Sequence, residues 1–264
     1  MENYGELAAA ELEKVILQEG PETVGAIVVE PITAGGGVIP APEGYFQAVQ
    51  ALCKKYDILL HIDEVVCGIG RTGKWFGYQN YGVQPDIVTM AKGLASAYAP
   101  ISCTVVTEEI FQLLNDQPDE RESYFRDIST FGGCTIGPAA ALENLKIIEE
   151  EGLLANTLHV GEYLKGRLTL LMDKYPMIGD VRGVGLFLGL ELVKDRVTKE
   201  PEDETVLMKI VADCAAQGVL IGRTNRSFLK FNNTLCLSPM LTLTQEQADV
   251  IVEAIDTALA NIAG

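Results

Sequence analysis

Histidine is almost missing from this chain. Only His61 and His159 occur in 264 residues, so a histidine-built metal centre or a serine–histidine nucleophile has little to draw on. The six cysteines, at positions 53, 67, 103, 134, 214 and 236, contain no C-x-x-C pair and no small disulfide framework. With no signal-peptide pattern at the start, they are expected to be reduced thiols in the cytoplasm. No G-x-x-x-x-G-K-[ST] segment is present, which removes Asp63-Glu64 as the magnesium site of a nucleotide-binding loop. No apolar run approaches the ~18 residues of a membrane span. Positive charge is also scarce: 20 Lys and Arg stand against 37 Asp and Glu, a net charge of −17. Nucleic acid and anionic membrane are therefore disfavoured as partners. What is plentiful is apolar residues (48%) and glycine (26 of them), in a chain long enough for one large or two modest α/β domains.

Residues 58 to 104 organise the rest. Two short apolar runs, Ile58 to Ile62 and Ile87 to Met90, read as buried strands of a parallel sheet. The first ends in Asp63 and the second leads to Lys92. Ligands of open α/β sheets bind beyond the carboxyl ends of such strands, so an acid and an amine delivered there form a candidate active site. On those two residues alone, a salt bridge at the strand edge is an equal reading. The loop after Asp63 holds Gly68, Gly70 and Gly73, more glycine than packing requires. Gly93, Ala95, Ser96 and Ala97 leave room around the Lys92 amine. His61 shares a strand face with Asp63, either as support for the acid or as a satisfied core histidine.

The run DEVVCGIGRTG from Asp63, followed by AKG with Lys92 29 positions after Asp63, resembles the signature of the class III aminotransferases. That resemblance implies pyridoxal 5′-phosphate as cofactor. It implies that Lys92 is the catalytic lysine, joined to the cofactor aldehyde and moving a proton to and from the substrate carbon. Asp63 is implied to pair with the pyridine nitrogen and Val65 to pack on the ring face. Glu30, at the end of the run from Val24 to Val29, is implied to face the substrate side. In the stretch DISTFGGC, Thr130 is the hydroxyl implied to reach the phosphate bound by the neighbouring subunit of a homodimer. The family usually has Asn-Pro or His-Pro after the two glycines, where this chain has Cys134-Thr135. Cys67 and Cys134 are implied to lie near the site, though small apolar filling is the simpler role for them.

The implied fold is α/β: the C-terminal part of the large domain of fold-type-I pyridoxal-phosphate transferases, residues 1–152, followed by a small α+β C-terminal domain, residues 153–264. Helical spacing predicts helices over 6–19, 44–56, 108–115, 137–151, 153–175, 204–217 and 245–260. Strands are expected at 24–29, 58–62, 87–90, 101–106, 178–184, 186–193, 219–221 and 234–237, with 33–42 and the segment before Glu204 as loops. Residues 116 to 126 are charged and expected to be exposed. The family also carries a long N-terminal portion, with the phosphate-binding Gly/Ser loop and the aromatic that stacks on the ring, and neither motif occurs in this chain.

A transaminase seats an amino donor and a keto acid, and a carboxylate favours a guanidinium partner. Members acting on ornithine-type substrates carry an arginine three residues before a Pro-Pro pair. Here Cys236 occupies that place in LCLSPM, which argues against that branch. GVLIGR ends in Arg223, similar to the mobile arginine of the ω-amino-acid:pyruvate members, with Arg226 as the second candidate; Arg182 reads as structural. The stretches DISTFGGC and NRSFLKFNNTLCLSPML are most similar to the taurine–pyruvate members. The implied reaction is ping-pong transfer from a small ω-amino acid such as taurine or β-alanine to pyruvate. Two other readings share these residues: a non-catalytic half-chain that needs a complementary segment, and a class III aminomutase or decarboxylase.

Overall fold

The computed structural model describes residues 3–115, 125, 128–225 and 231–263. It divides into two compact units: 1–31, 41–69 and 77–147 form the first, and 32–40, 70–76 and 148–264 the second.

In the first unit, α1 (Tyr4–Glu19) starts at Asn3, whose side chain accepts from the Glu6 N–H at 3.3 Å, and stops at Gly20, φ 89°. Then come β1 (Ala26–Val29), and β2 (Ile32–Thr33) and β3 (Ile39–Pro40), which pair antiparallel within the second unit. The first unit resumes with α2 (Tyr45–Tyr56), β4 (Leu59–Asp63), β5 (Ile87–Met90), β6 (Cys103–Val106), α3 (Glu108–Asn115) and all but the last three residues of α4 (Ile136–Glu150). The sheet order is β1-β4-β5-β6; the first three strands are parallel and β6 runs antiparallel to β5. One face of β1 and β4 buries Ile27, Leu60 and Ile62 against Ile16, Phe46, Val49 and Cys53 of α1 and α2. The other face leaves Val28 (59%) and Leu59 (36%) exposed.

The second unit is built from α5 (Leu153–Lys174), β7 (Ile178–Val184), β8 (Phe187–Asp195), β9 (Glu200–Pro201), α6 (Glu204–Ala216), β10 (Gly222–Arg223), β11 (Thr234–Leu237) and α7 (Gln245–Ala263). Its antiparallel sheet runs β10-β11-β8-β7, with β9 against β8. Leu188, Leu190 and Leu192 of β8 are fully buried, packed with Leu164 and Leu168 of α5, Ile210 of α6 and Ile255 of α7. Arg182 of β7 donates to the carbonyls of Gly37 and Val38 and pairs with Asp180 and Glu191, so the β2–β3 hairpin is fastened to this sheet. No helix among the described residues is long and apolar enough to cross a membrane.

Three expectations change. The segment 33–42 is a hairpin, because its two-residue strands are too short for a periodicity signal. The strand expected at 219–221 lies at Gly222–Arg223, where pairing with Leu235 and Cys236 is available. The polar segment before Glu204 contains β9, whose two residues pair with β8 despite unfavourable composition. Residues 116–124 and 126, within the segment expected to be charged and exposed, fall outside the described residues.

All six cysteines are free. Burial pushes the Cys53 and Cys214 thiols up to about 11, and Cys236 likewise despite the nearby Arg182 charge. Cys134 is exposed. Iodoacetamide at neutral pH is therefore expected to label Cys134 first, and Cys53, Cys214 and Cys236 only on unfolding, because the thiolate is the reacting species. Peptide mapping of a labelling time course checks this order; early labelling of Cys236 would contradict it.

Candidate active site

The parallel register places Asp63 opposite Thr89 on neighbouring strands. Asp63, His61, Thr89 and Ile87 share the half-buried face of the sheet, since side chains alternate along a strand. The Asp63 carboxylate accepts the Val65 N–H at 2.9 Å, which turns the chain sharply at the strand end. His61 Nε2 lies 3.1 Å from Thr89 Oγ1, so this ring is engaged with the neighbouring strand. Val65 is half-buried beside Asp63.

Lys92 follows β5 and opens a single 3₁₀ turn, Lys92–Leu94. Its side chain is exposed while Leu94 and Ala95 are buried, so the turn is anchored from below and the amine is presented outward. The two loops meet: a Cβ on Gly93 would lie 3.3 Å from Cβ of Ile69. Asn144 of α4 donates to the carbonyls of Gly93 (2.8 Å) and Leu94 (3.2 Å), satisfying groups that a one-turn helix leaves open. Backbone strain concentrates here. Ile69 (φ 55°), Lys92 (φ 40°), Ser96 (φ 50°) and Ala97 (φ 64°) all adopt the left-handed region that non-glycine residues avoid. Such residues cost about 1–3 kcal/mol each and cluster where function demands a geometry.

Glu64, beside Asp63, is buried, and its two carboxylate oxygens accept the N–H groups of Gly77 and Tyr78, each at 2.8 Å. Burial raises its pKa, with the two N–H donors opposing. Glu30 is half-buried just beyond β1, in the same sheet as Asp63. Thr130 is exposed in the turn ahead of α4, where Gly132 N–H donates to Ser129 and Cys134 N–H to Phe131. Arg223 belongs to the second unit; its guanidinium is paired with Glu204 and donates to the Thr224 carbonyl at 2.9 Å. Arg226 lies outside the described residues.

The sheet thus brings Glu30, Asp63, Val65 and Lys92 to the same ends of adjacent parallel strands, with Thr130 in the same unit. Arg223 stands in the other unit, held by an acid. Glu64 and Asn144 were not foreseen. Their partners are backbone groups supplied by other parts of the chain, and no local sequence pattern marks either residue.

The family model described as aminotransferase class-III matches residues 2–259. A hypotaurine/taurine–pyruvate aminotransferase of Paracoccus denitrificans is 64% identical over 262 residues, which cover 99% of this chain and 57% of that protein. A taurine–pyruvate aminotransferase of Bilophila wadsworthia is 58% identical, covering 98% and 57%. The chain therefore spans a little over half the length of these relatives. Among solved structures, a Bacillus anthracis aminotransferase superposes with a TM-score of 0.93 at 42% identity, over 96% of this chain and 56% of that one. The α/β architecture is accordingly part of the fold of pyridoxal-phosphate-dependent aminotransferases. With a family match over nearly its whole length, and a lysine and an aspartate at neighbouring strand ends, this chain belongs to the class III aminotransferases.

Proposed function

We propose that this chain carries the cofactor-holding centre of a transaminase that moves an amino group from a small ω-amino acid, of the taurine or β-alanine type, to pyruvate in two alternating half-reactions. The observation that carries the reading is the delivery of Asp63 and Lys92 to adjacent parallel strand ends, on loops that touch at Gly93 and Ile69. The substrate pair is supported by the relatives at 64% and 58% identity, which are named for taurine and pyruvate.

The side chains fit pyridoxal phosphate: an exposed primary amine, and a half-buried carboxylate able to hold a protonated ring nitrogen. When bound, that cofactor supplies an electron sink for the charge left on the substrate carbon. Lys92 is the covalent anchor and the base that takes the substrate proton and returns it. Asp63 holds the positive charge on the ring nitrogen, and Val65 confines the ring face. Thr130, exposed in its turn, suits a hydroxyl offered to the phosphate of a second copy in a homodimer. Glu30 borders the substrate, and Arg223 exchanges Glu204 for the substrate's acidic group. The six free thiols suit a reducing, cytoplasmic setting. Residues 1–152 then form the large-domain part and 153–264 the small domain.

A second reading, that the chain works only with a complementary segment, is favoured by the apolar Val28 and Leu59 left exposed on one face of the parallel strands. One titration separates the two. Pyridoxal phosphate added to the purified chain is expected to give a visible absorbance band that taurine or β-alanine bleaches and pyruvate restores. A folded chain without such a band would support the second reading and overturn independent catalysis.

A further inference from the structure

The turn Gly77–Asn80 and the tyrosine that follows it lie in the first unit and touch both strand ends that carry the proposed site. Glu64 grips the start of the turn through the N–H groups of Gly77 and Tyr78. At its far end, the Tyr81 hydroxyl donates to the Pro31 carbonyl at 2.8 Å and accepts the Ala41 N–H at 3.3 Å. Pro31 and Ala41 flank the segment 32–40, so this one phenol closes the loop that begins two residues after Glu30.

The turn has little freedom to move. Tyr81 stacks on the buried Phe46 with ring centroids 4.5 Å apart, and Gln47 donates to its carbonyl at 2.6 Å. A Cβ on Gly77 would lie 2.7 Å from Cβ of Cys67 and 2.9 Å from Cβ of Pro31, so the backbone sits directly against both strand ends. Burial raises the Tyr81 pKa, which keeps the hydroxyl protonated and able to donate.

We infer that this turn is a brace coupling the end of β1 to the end of β4, and that Tyr81 and Glu64 are positioning residues for the proposed transamination, setting Glu30 and Asp63 respectively. The inference rests on the functional reading above for what the strand ends do, but the brace itself does not.

Two conservative variants test it in the full chain. Tyr81→Phe removes the hydroxyl and keeps the ring that stacks on Phe46. Glu64→Gln keeps the shape but leaves one acceptor for two N–H donors and turns an amide N–H₂ toward the other. Backbone hydrogen exchange, followed residue by residue, is expected to quicken about tenfold at Ala41 in Tyr81→Phe, and at Gly77 and Tyr78 in Glu64→Gln. In the transamination assay, Tyr81→Phe is expected to raise KM for the amino donor about tenfold with kcat within about twofold, whereas Glu64→Gln weakens pyridoxal phosphate binding about tenfold. Unchanged exchange at these amides would overturn the brace whatever the enzyme does. Faster exchange with unchanged KM and cofactor affinity would overturn the positioning role. A wild-type chain lacking a Lys92-dependent absorbance band would overturn the functional reading and the positioning role with it, while exchange still decides the brace.

Discussion

Lys92→Ala is expected to abolish amino transfer, lowering the rate about 10⁴-fold or more, while the fold survives. The size follows from what one amine is asked to do: anchor the cofactor covalently and carry the proton in both half-reactions. Losing the proton transfer alone removes about 10²–10⁴-fold, and losing the anchor adds to it. The fold survives because the Lys92 side chain is exposed and the buried Leu94 and Ala95 hold its turn. Stability should therefore stay within about 0.5 kcal/mol of wild type. A companion substitution sharpens the point. At φ 40° the residue sits in the left-handed region, so glycine relieves strain that alanine keeps. Lys92→Gly is expected to be roughly 0.5–1 kcal/mol more stable than Lys92→Ala after the loss from a freer unfolded chain, and equally inactive. Single-turnover spectroscopy with thermal melts checks both halves. A Lys92→Ala protein that retains a tenth of the wild-type rate would remove this residue from the mechanism.

The second large effect is on stability. Glycine inside a helix is ordinarily improved by alanine, by roughly 0.5–1 kcal/mol. Gly161 of α5 is expected to show the opposite sign. A methyl there would stand 2.3 Å from the Gly185 carbonyl oxygen and 2.4 Å from its carbon. Gly185 cannot retreat, because its own Cβ position lies 2.9 Å from the backbone of Thr72 and 3.0 Å from that of Arg71. Backbone is thus wedged between a helix and a second backbone segment, and α5 must lift off the core that Leu164 and Leu168 build with β8. Gly161→Ala is expected to cost about 3 kcal/mol, the upper range for overpacking. In urea this reads as a midpoint lowered by roughly 1 M at unchanged slope. A stabilised variant would show that α5 does not pack on the β7–β8 turn as described.

Several elements were open to sequence reading because their signal is local. The runs at Ile87–Met90, Ile178–Val184 and Thr234–Leu237 are apolar or alternating and bounded by polar residues, and each forms a strand over those residues. The arrival of Asp63 and Lys92 at strand ends followed from the runs Ile58 to Ile62 and Ile87 to Met90. The β2–β3 hairpin and β9 were hidden because each strand has two residues and is held by its partners. In the hairpin's case Arg182, more than 140 positions away, supplies the bonds to Gly37 and Val38. The supports of the site were hidden for the same reason. Glu64, Asn144 and Tyr81 each bind backbone groups that only the folded chain brings within reach.

The segments 32–40 and 70–76 pack with residues 148–264, not with their sequence neighbours. During synthesis the hairpin of residues 32–40 emerges roughly 150 residues before Arg182 and β8, which hold it. At ribosomal speeds of 5–20 residues per second that interval is on the order of ten seconds. Throughout it, the β1–α2–β4–β5 region can assemble only with two of its own connections undocked. The first unit is therefore a guest of later translation, and a nascent chain halted before β8 would expose two dangling loops to proteases at positions that the finished protein protects.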